Sequence, residues 1–129
     1  MENKLMRNGA FSWFELMTSD PEAAKTFYGG LFGWTTEAME MEGGMIYNVI
    51  NVDGEGVGGI MNMPPGTEGM PSMWGIYVSV DDIDATASSV LELGGQVLVP
   101  PRDIPEVGRF CVIQDPQGAV ISAITYKKP

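Results

Sequence analysis

The chain is predicted to fold as an α+β protein made of two copies of one βαβββ unit, and three observations predict it. A strand-like segment that runs into a capped helix occurs twice, three short extended segments follow each helix, and turn-forming residues separate those segments. In the first copy, Trp13-Phe14-Glu15-Leu16-Met17-Thr18-Ser19-Asp20 alternates with the period of a strand. It meets Asp20-Pro21-Glu22, a cap with proline at the first helical position. Starting 61 residues later, Trp74-Gly75-Ile76-Tyr77-Val78-Ser79-Val80-Asp81 has the same layout, with Trp and Asp in matching places and acidic residues opening the next helix.

Each helix is legible in its apolar spacing. Ala24, Phe27, Tyr28 and Leu31 fall at i, i+3, i+4 and i+7, and Ile83, Ala87, Val90 and Leu91 repeat the stripe, so both helices are expected to lie on a sheet. Gly33 and Gly94-Gly95 end them, since glycine takes the left-handed conformation that closes a helix. The extended segments are residues 35–39, 45–51 and 57–63 in the first half and 96–99, 109–114 and 119–126 in the second. Turns are expected at Glu42-Gly43-Gly44, Asp53-Gly54-Glu55-Gly56 and Asp115-Pro116-Gln117-Gly118, which makes the connections antiparallel and excludes a doubly wound parallel sheet. Residues 64–73, with three prolines and two glycines among the first eight, read as a linker between a first module at 8–63 and a second at 74–127. Neither half is expected to fold alone, so residues 1–129 form one domain.

A chain of 129 residues with 44% hydrophobic and 9% aromatic residues can bury a real core. No run approaches the ~18 apolar residues of a membrane helix, and Met1-Glu2-Asn3-Lys4 begins without a secretory apolar stretch. A soluble, cytoplasmic protein is expected. The net charge of −10 repels phosphate backbones and anionic lipid, which argues against nucleic-acid and membrane partners. Cys111, the single cysteine, lies among Phe110, Val112 and Ile113 and reads as a small buried strand residue. With no histidine in the chain, Ser-His-Asp, Cys-His and His-metal chemistries are removed together.

Several of these segments carry a family resemblance. Asp20-Pro21-Glu22-Ala23-Ala24 leading to Phe27-Tyr28 and Leu31-Phe32-Gly33-Trp34, and Gly108-Arg109-Phe110 before Asp115-Pro116-Gln117-Gly118-Ala119, resemble the vicinal oxygen chelate superfamily, the group of glyoxalases, bleomycin resistance proteins and extradiol dioxygenases. The resemblance implies two modules whose curved sheets form an incomplete, antiparallel-rich barrel with the helices outside. It also implies metal ligands on the first strand of each module, seven residues before the aspartate that opens the helix, and on the last strand. Those positions are Trp13, Trp74, Ser122 and, in the first module's last strand, Ile60 or Met61. None suits a hard divalent cation, so no metal and no other cofactor is expected.

The expected cleft is lined by Trp13, Glu15, Met17, Met61, Trp74, Tyr77 and Ser122. Glu15 shares a sheet face with Trp13 and is the candidate hydrogen-bond acceptor or general base, or else a strand-end charge paired with Arg109. Trp13 and Trp74 either wall a pocket for a flat ligand or fill the space of the missing metal, and the methionines suit an adaptable apolar surface. Three functions follow. The first is a metal-free protein that binds a small, largely apolar or aromatic organic molecule. The second is a lyase, isomerase or dioxygenase-like enzyme with an unrecognised metal site or Glu15 as base. The third is an interaction subunit working as a homodimer. Gly54-Glu55-Gly56-Val57-Gly58-Gly59 matches a dinucleotide fingerprint, but Ile60-Met61-Asn62-Met63-Pro64-Pro65 cannot open a phosphate-binding helix, so the glycines read as a hairpin and a bulged strand.

Overall fold

Eight strands and two helices follow one another as β1 (Phe11–Thr18), α1 (Pro21–Phe32), β2 (Thr35–Glu40), β3 (Ile46–Val52), β4 (Glu55–Asn62), β5 (Met73–Ser79), α2 (Ile83–Glu92), β6 (Gln96–Ile104), β7 (Gly108–Gln114) and β8 (Val120–Tyr126). The computed structural model describes residues 7–63, 69–105 and 107–127. The amino-terminal residues 1–6 and residues 64–68 of the expected linker lie outside the described residues. By its contacts the chain divides into one unit formed by Phe14–Gly75 and another formed by residues up to Trp13 together with those from Ile76 onward.

In the first unit the strands run in the order β2-β3-β4-β1. β2 and β4 flank β3 antiparallel, while β1 joins β4 in parallel from Phe14↔Gly58 to Thr18↔Asn62. Asp53 and Gly54 turn β3 into β4 with φ of 53° and 80°, the paired positive values that a two-residue hairpin needs. The register shifts at Ile50/Asn51, so the glycine run is a hairpin and an irregular strand as its neighbours indicated. Asp20 accepts a hydrogen bond from the Ala23 N–H at 3.0 Å, Pro21 opens α1, and Gly33 closes it at φ 77°. Leu16, Ile50 and Ile60 form the core beneath the helix, with Ala24, Tyr28 and Trp34 packed on them. Asn48 is buried among them, donating to the Ile60 carbonyl at 3.2 Å and accepting from Lys25 Nζ at 3.4 Å.

In the second unit the order is β5-β8-β7-β6, with β5 parallel to β8 and the other pairs antiparallel. Ile83, Cys111 and Ala123 form its core, with Val80, Ala87 and Ile113 around them. Cys111 is completely buried and burial pushes its thiol pKa up, in keeping with a packing role. The residues before β1 belong here: Gly9 N–H donates to the Ser79 carbonyl at 2.7 Å and Ser79 N–H to the Ala10 carbonyl at 2.8 Å. β6 continues through Pro100-Pro101 to Ile104 instead of stopping at Val99. It is the outer strand of this sheet, and its register shifts on both sides of Val99, the setting in which prolines are tolerated.

One expectation is corrected. The residue that caps α2 is Asp82, whose side chain accepts from the Ala85 N–H at 3.1 Å, and not Asp81. From cap to cap the repeat is therefore 62 residues, Asp20 to Asp82. A slip of one residue moves a strand side chain to the opposite face. Trp13 thus corresponds to Gly75, and Trp74 to Ser12.

Candidate ligand-binding site

The first unit presents two unlike faces, because side chains alternate along β1. Leu16 points into the core under α1, so Glu15 and Met17 lie on the face away from the helix. Pairing places Gly59 beside Glu15, Met61 beside Met17, and Tyr47 beside Met61. Tyr47 then reaches diagonally across the sheet, and its hydroxyl donates to Glu15 Oε2 at 2.9 Å. Gly59 makes that reach possible, since a Cβ there would overlap the Tyr47 ring. The result is a carboxylate held in one orientation by a phenol, flanked by two half-buried methionines. Such a group can accept a hydrogen bond from a ligand hydroxyl or amine, and the thioethers can follow an apolar outline.

Trp74 lies elsewhere. Its indole Nε1 donates to the Tyr28 hydroxyl at 3.3 Å, and its ring stands edge-on to Tyr28 and Trp34 with centroids 5.5 and 5.9 Å away. It borders a cavity of about 480 Å³ lined by Phe14, Tyr28, Phe32, Trp34, Ile50, Val57, Gly58 and Trp74. Phe14 precedes Glu15 on β1, so this cavity opens on the helix side and Trp74 does not share the Glu15 face.

The remaining candidates belong to the second unit. Trp13 is half-buried there, while Tyr77 is buried, pairs in register with Ser122 and lies 6.4 Å from the Phe110 ring. Nearby, the Tyr126 hydroxyl and Ser12 Oγ are 2.9 Å apart. Burial raises the Tyr126 pKa, and the Ser12 hydrogen bond partly offsets the rise. Arg109 is engaged by Asp84 at 3.0 Å and Asp103 at 3.2 Å, and so serves its own unit.

Sequence reasoning placed Glu15, Met17 and Met61 together but missed Tyr47. The available signal was the adjacent glycine pair Gly58-Gly59, since a side-chain-free strand position invites a long neighbour to lie across it. The donor set does not fit a divalent cation. With the repeat corrected, the first-strand positions implied by the resemblance are Trp13 and Gly75, and the last-strand positions carry Ser122 and Ile60 or Met61. Among the described residues no three of Cys, Asp and Glu converge as a metal cage. No helix among them is long and apolar enough to cross a membrane.

Comparison with known proteins bears on this geometry. The chain is 44% identical over 117 residues to CFP32 of Mycobacterium tuberculosis, provisionally named a glyoxylase, covering 89% of this chain and 45% of that protein. It is 36% identical over 126 residues to the anthracycline biosynthesis protein DnrV of Streptomyces peucetius, covering 88% and 46%. The chain thus spans about half the length of the curated relatives it matches. Among solved structures, methylmalonyl-CoA epimerase from Mycobacterium tuberculosis shares its fold, with a TM-score of 0.66 at 15% identity over 99% of this chain and 93% of that one. Residues 10–122 match the family profile, and with two βαβββ units in place the chain belongs to the Glyoxalase/Bleomycin resistance protein/Dioxygenase superfamily.

Proposed function

We propose that this protein binds a small, largely apolar or aromatic organic molecule on the open sheet face of the first unit, without a metal ion. The carrying observation is the Glu15 carboxylate fixed by Tyr47 over Gly59 and bordered by Met17 and Met61. A surface of this kind pairs an adaptable apolar area with one oriented polar group, which selects a ligand carrying a single hydroxyl or amine donor. The kinship with an anthracycline biosynthesis protein speaks for the same organic class.

Native mass spectrometry of protein purified without chelator tests the reading. An organic adduct that is retained by the wild type and depleted in Glu15→Gln and Tyr47→Phe supports it. One equivalent of tightly held divalent metal overturns it in favour of a metal-dependent family enzyme. A ligand would lose about 1.5–3 kcal/mol of binding with Glu15→Gln, the worth of a hydrogen bond to a charged group.

A further inference from the structure

On the other side of the same sheet, the first unit holds an aromatic chamber that the Glu15 site does not use. Tyr28 and Trp34 stack with centroids 5.5 Å apart and 28° between their planes, and Trp74 stands at 79° and 76° to them. These rings make a floor and a wall at nearly a right angle, with Phe14 and Val57 from the sheet and Phe32 completing the lining. Phe14, Phe32 and Trp74 are 46%, 58% and 40% exposed, so the rings, though they touch one another, still present apolar surface to the chamber. A flat ring entering such a corner gains offset stacking on one surface and edge contact on another, both favoured aromatic geometries. At about 480 Å³ the cavity lies within the range of small-molecule sites.

The chamber's polar group defines the ligand more closely. No charged side chain lines it, so a charged ligand would lose its hydration without compensation, and the net charge of −10 further opposes an anion. Trp74 directs its only N–H to the Tyr28 oxygen, which leaves the hydrogen of the Tyr28 hydroxyl to be donated elsewhere. We infer that this chamber is a second binding site, for a flat, uncharged aromatic compound bearing an acceptor oxygen such as an aryl ketone or quinone, bound by the Tyr28 hydroxyl against the corner that Trp34 and Trp74 form. The site is independent of Glu15, which points to the opposite face from Phe14.

The indole N–H signals of Trp13, Trp34 and Trp74, assigned through single Trp→Phe variants, report on it directly. Titration with 2-acetylnaphthalene is expected to move the Trp34 and Trp74 signals, in Glu15→Gln as in the wild type. The hydrocarbon analogue 2-ethylnaphthalene should bind more weakly, and the anion 2-naphthoate not at all. Tyr28→Phe should weaken the ketone about fivefold and leave the hydrocarbon unchanged, as expected for loss of one neutral hydrogen bond. Absence of any shift up to the solubility of the ketone overturns the proposal, as does equal weakening of ketone and hydrocarbon by Tyr28→Phe. Movement of the same two signals on dilution of the protein alone also overturns it, by assigning the surface to a second copy of the chain.

Discussion

Helix α1 rests on its sheet through Ala24 and Tyr28 and buries none of its residues fully, whereas α2 buries both Ile83 and Val90, with Ile83 packed on Cys111 and Ala123. The topology is the same and so is the cap, an aspartate accepting from the third residue onward. What differs is side-chain size. Small residues, Cys111 and Ala123, pack against Ile83 of α2, while α1 itself carries Tyr28 and Phe32, which with Trp34 and Trp74 form a bulky, partly exposed aromatic shelf. Both proposed binding surfaces lie in the first unit, where these rings are displayed.

The sharpest way to break this contrast is to truncate one core residue and one shelf residue of the first unit. Ile60 is fully buried, and Ile60→Ala is expected to cost about 2–5 kcal/mol through lost burial and a residual cavity. Phe32→Ala removes a larger side chain but one that is mostly exposed, leaving chiefly its ring contacts with Tyr28 and Trp34, for a cost of about 1 kcal/mol. Urea midpoints at unchanged slope measure both. Equal costs would make the shelf part of the core and remove the distinction between the units.

A second pair of substitutions tests whether Gly59 is there for Tyr47. In Gly59→Ala the new methyl meets the Tyr47 ring, so the ring must leave Glu15, at a cost of about 1–3 kcal/mol. Gly75→Ala is the control, because its nearest neighbour would be the Glu15 carbonyl oxygen at 3.8 Å, an ordinary contact. The control should lie within about 0.5 kcal/mol of the wild type. A Gly59→Ala variant as stable as Gly75→Ala would mean that the phenol-carboxylate pair adds nothing to the folded unit.

The same contrast explains what the sequence could reveal. Caps, helix stops and hairpin turns are local, and Asp20-Pro21, Gly33 and Asp53-Gly54 do what their chemistry dictates. The face on which a strand residue sits depends on exact register. There the doublet Asp81-Asp82 offered two equally good caps, and choosing the first turned Trp74 away from the helix on paper. Tyr47 was hidden for a different reason: its partnership with Glu15 joins residues on two strands separated by a third, which no single-strand periodicity encodes. The family itself was legible from short motifs in each unit because those motifs are the local elements that define its fold.

The smallest expected effect concerns how α2 is held. Arg109 on β7 grips Asp84 in the first turn of α2 through Nε at 3.1 Å and Nη2 at 3.0 Å, and Asp103 on β6 through Nη1 at 3.2 Å. The guanidinium holds the Asp84 carboxyl below the usual carboxylate range, chiefly through this hydrogen bonding. A depressed carboxylate pKa means that the unfolded chain takes up the proton first as the medium is acidified. The stabilisation is therefore fully present above the ordinary carboxylate pKa and disappears as pH falls through the lowered one. The first unit anchors α1 to its sheet differently, through Lys25 on the neutral amide of Asn48, while the carboxylate paired with Lys25, Glu22, lies on the same helix and does not tie it to the sheet. Acidification should then loosen α2 before α1, seen as earlier loss of amide-exchange protection in α2. Asp84→Asn should abolish that order and lower the melting temperature at neutral pH only slightly, since the pair is exposed and salt screens it. Arg109→Gln keeps the carboxylate at the helix start while removing the grip. If it behaves like the wild type, the acid sensitivity belongs to the interaction of Asp84 with the helix terminus, and the clasp does not distinguish the two units.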